Sequence, residues 1–182
     1  MRKLLGALAL MVSSPALASG LEITVSGEAS GTITIDLLED LAPKHVEQIT
    51  TLAAQGAYND VVFHRVIDGF MAQTGDVANG VLGGDMRRAG TGGSDLPDLP
   101  AEFSDEPFER GIVGMARSQS PDSANSQFFI MFQAGYFLNG QYTVVGRVTD
   151  GMDVVDQIKK GHPRSGQVTG APDVMRAVVV TE

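Results

Sequence analysis

Short runs of alternating apolar and polar residues, separated by glycine-rich turns, constrain this chain more than any other feature. Residues 21–25 (Leu-Glu-Ile-Thr-Val) and 32–37 (Thr-Ile-Thr-Ile-Asp-Leu) alternate with a period of two, and the turn residues between them read as a hairpin loop. Further strands are predicted at 61–67, 70–73, 111–116, 127–132, 142–148 and 174–181. Helical spacing occurs twice. Val46, Ile49, Leu52 and Ala53 follow Pro43, which suits a first helical turn, and Gly56 is the expected stop. Met152, Val155 and Ile158 mark a second, short helix before Lys159, Lys160 and Gly161. Many short strands with two one-sided helices point to a barrel or a sandwich, and the helices would cap the open ends of a barrel. Pairing of the first and last strands would close it.

The N-terminus carries an address rather than a strand. A basic start at Arg2 and Lys3, an apolar run from Leu4 to Val12 and the small residues Ala16-Leu17-Ala18 form the three-part pattern of a secretory signal, with cleavage expected after Ala18. The apolar run is about half the ~20 residues that a membrane-spanning helix requires. A single mature domain over 19–182 is expected, released to the periplasm and not held in the membrane. The chain has no Cys, so packing and hydrogen bonds must stabilise it without disulfides, and thiol chemistry is absent. Its net charge of −9 becomes more negative once Arg2 and Lys3 are removed, which makes nucleic acid a poor partner.

Two strands carry the informative residues. Over 63–73, period-two alternation puts Phe63, Arg65 and Ile67 on one face, with Met71 and Gln73 following by parity. A guanidinium among apolar side chains is either paired in the core or sits at a site. The strand at 127–132 places Phe128, Ile130 and Phe132 on one face and Gln127, Phe129 and Met131 on the other, so each face has something apolar to bury. Together they outline an apolar groove edged by one guanidinium and two amides. The histidines His45, His64 and His162 lie on separate elements without metal-ligand spacing, and His64 reads as a core histidine bonded to backbone. Gly90-Thr91-Gly92-Gly93 follows no clear strand and opens no helix, so it does not read as a phosphate loop. No nucleophile–base pair is evident, and neither a cofactor nor a metal is expected.

The sequence 63–73 (Phe-His-Arg-Val-Ile-Asp-Gly-Phe-Met-Ala-Gln), followed by Gly90-Thr91-Gly92-Gly93, Gly114-Met115-Ala116 and Ser126-Gln127-Phe128-Phe129-Ile130, resembles the cyclophilin family of peptidyl-prolyl cis-trans isomerases. The resemblance implies a mainly β fold, an eight-stranded antiparallel closed β-barrel capped by two α-helices. It implies that Arg65 is the catalytic arginine and Gln73 the amide that steadies it. Phe70, Met71, Phe129 and Leu138 would wall a proline pocket, while Ala116, Gln127 and Thr91 would line the peptide groove. Phe137 and Tyr142 stand where eukaryotic members carry tryptophan and histidine. They look like the bacterial branch and imply weak cyclosporin binding. The stretch 77–88 is longer than the family pattern and would either reshape one groove edge or be a surface insertion, the plainer reading. Proline-containing unfolded or partly folded polypeptides are the implied partners, and a monomer is the expected state. A peptide-binding barrel without turnover and a lipocalin-like ligand barrel are the alternatives.

Overall fold

The computed structural model describes residues 19–181, and the signal segment expected at 1–18 lies outside them. Nine strands and two helices follow in the order β1 (Gly20–Ser26), β2 (Gly31–Leu37), α1 (Pro43–Ala54), β3 (Val61–Val62), β4 (Arg65–Ile67), β5 (Met71–Thr74), β6 (Ile112–Met115), β7 (Phe128–Met131), β8 (Val144–Asp150), α2 (Met152–Gln157) and β9 (Val174–Thr181). All strand pairs are antiparallel, and they form one sheet in the order β3-β9-β1-β2-β8-β6-β7-β5-β4.

This is a curled half-barrel of nine strands and corrects the expected closed barrel of eight. The first and last strands do pair, but they lie inside the sheet order and do not close it. The predicted strand at 61–67 is broken at Phe63-His64: its first half pairs with β9 and its second with β5. Residues 161–168 lace the resulting seam. Gly161 N donates to Val66 O at 2.9 Å, Val66 N to Gly166 O at 2.7 Å and Val168 N to His64 O at 3.0 Å. The break also changes parity. Phe63 is buried in the inner core with Val66, while Ile67 packs on the outer cluster, so Phe63 does not share a face with Arg65 as the alternation suggested.

The two faces of β7 divide the apolar residues as expected. Phe128 and Ile130, with Phe132 just beyond the strand, join the inner core, and Phe129 and Met131 join Met71, Phe108, Ile112, Leu138 and Val144 outside. Gly114 on β6 makes room for this outer cluster, since a Cβ there would lie 2.6 Å from both the Phe108 and the Phe129 rings. Helix α1 has Pro43 in its first turn and buries Val46, Ile49, Leu52 and Ala53. Its N-cap residue Ala42 has no capping side chain, and Glu102 supplies the acceptors from a distant loop. Glu102 Oε2 accepts from His45 N at 3.1 Å and meets His45 Nδ1 at 2.6 Å, and Oε1 accepts from Lys44 N at 3.3 Å. Helix α2 ends at Gln157, short of Lys159, and Lys160 Nζ caps it by donating to Asp156 O and Ile158 O at 2.6 and 2.9 Å.

The long loop after β5 is ordered by one carboxylate. Asp76 is fully buried. Its Oδ1 accepts from Ala78 N and Asn79 N at 3.2 and 2.8 Å, and its Oδ2 from Gly90 N and Gly92 N at 2.7 and 3.0 Å. The segment 77–88 thus closes on itself. Part of it covers β3, where Val62 N donates to Gly80 O at 2.8 Å and Val61 and Val81 form a bridge. Asn79 Nδ2 also donates to Thr91 Oγ1 at 3.1 Å, so this stretch is fastened to the glycine-rich loop as well as lying on the surface.

Asp76→Asn places an amide donor among four N–H donors and is expected to cost about 2–4 kcal/mol in urea unfolding. Amide exchange at Gly90 and Gly92 should accelerate, and unchanged exchange there would count against this role for Asp76. A second expectation concerns acid. Partial burial raises the Glu102 pKa, but the His45 ring and the two backbone N–H groups outweigh it and hold the carboxyl below its ordinary value. A depressed carboxyl contributes fully above the ordinary glutamate range and loses its contribution as pH falls through the lowered value. Glu102→Ala should therefore cost about 1–2 kcal/mol at neutral pH. The difference from the parent should shrink below about pH 4.

Candidate peptide-binding groove

The site lies on the outer face where β4, β5 and β7 are adjacent. Arg65 stands directly opposite Gln73, and Gln73 opposite Phe129, so backbone register alone sets the three side chains in a row. Arg65 Nη1 donates to Gln73 Oε1 at 3.2 Å, with Met71 Sδ at 3.8 Å. Its Nε donates to Ser165 O at 3.2 Å, a partner from the seam loop. Gln73 Nε2 donates to Gln127 Oε1 at 3.0 Å. Gln127 Nε2 donates in turn to Gly90 O and Gly92 O at 3.1 and 2.7 Å. Gly90 N and Gly92 N donate to Asp76, so the two residues whose carbonyls hold Gln127 are themselves tied to a buried carboxylate.

Beside Arg65 opens a pocket of about 290 Å³, with Phe70, Met71, Phe129, Phe137, Leu138 and Tyr142 among its walls. Phe129 is its fixed wall. It stacks on Phe108 at 5.8 Å between centroids and meets Tyr142 edge-on at 5.9 Å. Phe70 and Phe137 pack at 5.5 Å, and Phe137 stays 67% exposed, forming an apolar rim open to solvent. A short 3₁₀ turn, Tyr136–Leu138, carries that rim. A second pocket of about 380 Å³ lies alongside, lined by Thr91, Ala116, Arg117 and Gln127, with Gln73, Ala116 and Arg117 common to both.

Half-burial lowers the Arg65 pKa from its ordinary value, against the effect of Tyr142. An arginine so placed remains a cation. Among the described residues no carboxylate pairs with it. The arrangement is a positive charge held by neutral acceptors at the mouth of an apolar cavity. It can donate hydrogen bonds and stabilise developing negative charge, and it offers no nucleophile.

The structure thus brings Arg65, Gln73, Phe70, Met71, Phe129, Phe137, Leu138, Ala116 and Tyr142 around one pocket, and Thr91 and Gln127 around its neighbour. His64 is buried as expected, with the Val62 backbone and the Gln127 side chain beside its ring, although neither ring nitrogen reaches good hydrogen-bond geometry among the described residues. Burial lowers its pKa, with the charge of Asp76 acting in the opposite direction. It lies beneath Gly90, whose φ of +92° needs glycine and whose absent Cβ would come within 3.1 Å of the ring. Sequence reasoning missed Asp76, Phe108, Ser165 and Arg117. The available signals were an Asp directly after Gly75 at the start of a glycine-rich loop, and a Phe directly after Pro107 in a mostly polar stretch.

Residues 21–180 match the family model of the cyclophilin type peptidyl-prolyl cis-trans isomerases. The chain is 62% identical over 152 residues to a probable peptidyl-prolyl cis-trans isomerase of Brucella suis biovar 1 (strain 1330), covering 82% of this chain and 78% of that protein. The crystal structure of cyclophilin AquaCyp293 from Hirschia baltica aligns with a TM-score of 0.72 at 25% identity, over 88% of this chain and 73% of that one. A Cryptosporidium parvum cyclophilin type isomerase crystallised in the presence of the dipeptide Ala-Pro aligns with a TM-score of 0.74, also at 25% identity, over 90% and 99%. With its sequence matched almost end to end and its fold shared, the chain belongs to the cyclophilin family and is a cyclophilin-type peptidyl-prolyl cis-trans isomerase.

Proposed function

We propose that this isomerase accelerates X–Pro rotation in exported proteins, with Arg65 stabilising the twisted amide while the pocket behind it holds the proline ring. The observation that carries this reading is the Arg65 guanidinium, set at the mouth of the apolar pocket without a carboxylate partner and pinned by Gln73 and Ser165. Rotation about the peptide bond meets a barrier of about 18–20 kcal/mol because the nitrogen lone pair is conjugated with the carbonyl. No bond to a heavy atom is made or broken. At the top of the barrier the lone pair is localised on the prolyl nitrogen, which becomes a hydrogen-bond acceptor that the planar amide lacks. A fixed N–H donor aimed there binds the twisted form more strongly than either planar form, and that difference lowers the barrier.

Gln73 and Gln127 act by keeping the cation in place. A guanidinium with a carboxylate neighbour would be partly neutralised. Neutral amide and carbonyl acceptors fix it without that loss, and Phe129 and Met71 exclude water that would compete for its donors. Export to the periplasm is supported by the basic start, the apolar run and Ala16-Leu17-Ala18. Likeness to a Brucella relative supports the bacterial branch. Uncatalysed isomerisation takes tens of seconds or more, so proline-containing chains still folding after export are the proposed substrates. N-terminal sequencing of the protein recovered from cell fractions tests the location: a start at Ser19 in the periplasmic fraction supports it, and an intact leader in the cytosol overturns it.

Arg65→Ala is expected to lower kcat/KM on an X–Pro peptide by about 10²–10³-fold, the usual cost of removing a transition-state donor. Circular dichroism should show the fold retained. Unchanged turnover in this variant would refute the role given to Arg65, and absent turnover in the parent would leave a peptide-binding barrel. Because the arginine does not titrate and burial keeps His64 neutral above its lowered pKa, kcat/KM should be flat between about pH 7 and 9. A bell-shaped profile in that window would instead indicate proton transfer.

A further inference from the structure

Arg117 has no part in the mechanism above, yet it lines both pockets. It is held firmly. Its guanidinium lies over the Tyr142 ring at 4.5 Å from the centroid. Nε and Nη2 donate to Gln141 O at 3.3 and 3.0 Å, and Nη1 donates to Ser118 O and Gln119 O at 2.9 and 3.3 Å. Four of the five N–H groups of an arginine are thus engaged, all by neutral carbonyl oxygens. Arg87, Arg110, Arg147 and Arg176 each pair with a carboxylate, whereas no carboxylate pairs with Arg117 among the described residues. A positioned cation has therefore been left with its charge uncompensated beside a groove, in a protein whose net charge is −9.

We propose that Arg117 is a specificity residue that selects X–Pro segments bearing an acidic residue close to the proline, on the side of the chain that crosses from the proline pocket into its neighbour. This rests on the reading of the groove as the peptide site. A carboxylate arriving there meets a charge whose geometry is already fixed by Tyr142 and three backbone carbonyl groups, so little side-chain freedom is lost on binding. The remaining Nη2 hydrogen points the bond, and salt is expected to screen the pair because the Arg117 guanidinium is open to solvent. Asp98 lines only the second pocket and accepts a hydrogen bond from Asn125 Nδ2 at 3.0 Å. Its charge confines the acidic preference to residues near Arg117 and disfavours acid further along.

The overall charge makes the inference easy to separate from a general field effect. A protein at −9 repels acidic peptides and attracts basic ones, so a preference for Glu must come from local cations. One peptide scaffold containing X–Pro is varied to Glu, Gln or Lys at each of the two positions before and the two after the proline. Isomerisation is followed by NMR exchange with the parent protein and with Arg117→Gln. At one of these positions the parent should favour Glu over Lys by about three- to tenfold in kcat/KM at low ionic strength, falling toward parity as salt screens the pair. In Arg117→Gln the preference should vanish or reverse, and in Arg117→Lys part of it should return. Equal or better turnover of Lys peptides by the parent at every position overturns the proposal, as does a Glu preference that survives in Arg117→Gln. The Gln peptides report separately on the groove: if the parent does not turn them over, the isomerase reading fails, and the same Glu-to-Lys ratio is then taken from dissociation constants in NMR titrations. If Arg117→Gln does not fold, Arg117→Lys and the salt dependence of the parent decide.

Discussion

A carboxylate buried among four backbone N–H groups holds the working face of this molecule in shape. Asp76 gathers Ala78, Asn79, Gly90 and Gly92 around one point, although the last two lie well over ten residues further along the chain. A charge with no access to water would be costly unless its lone pairs were satisfied, and here the loop itself satisfies them. The loop cannot relax without exposing the carboxylate or leaving it unpaired, which gives an irregular segment its rigidity. Its glycine carbonyls then serve as fixed acceptors for Gln127, and through Gln73 that rigidity reaches Arg65.

The groove itself holds almost no reactive chemistry. The sheet provides register, placing Arg65, Gln73 and Phe129 on neighbouring strands, and the outer apolar cluster provides a dry wall through Phe108 and Phe129. Neutral acceptors on both sides of the guanidinium keep it oriented without neutralising it. In the function proposed above, this guanidinium beside an apolar pocket suits a reaction whose only change is the pyramidal character of one nitrogen.

Much of this was legible in the residues and some of it could not be. The two-faced strand at 127–132 was readable because parity along a strand is a local rule, and the structure divides Phe128 and Phe129 between the cores as that rule requires. The same rule failed at Phe63, because the break there is fixed by residues 161–168, about a hundred positions away, which supply the hydrogen bonds that a continuous ladder would have made. Closure of the barrel failed for the same reason. The role of Glu102 as the cap of α1 was equally out of reach, since capping is ordinarily sought among immediate neighbours and Ala42 offers nothing. The residues of the family motifs come together around the groove, while the bonds of Asp76 and Arg117 run to backbone groups whose positions exist only after folding.

The seam between β3 and β4 has a further consequence. The strand bearing Arg65 is an edge strand, and an uncovered edge next to a peptide groove would invite an extended chain to add itself as another strand. Residues 161–168 occupy that edge with their own carbonyl and amide groups, so the main chain of β4 has little left to offer. A visiting polypeptide therefore finds no free strand edge at β4 to extend. The covered edge thereby guards this face against edge-to-edge aggregation.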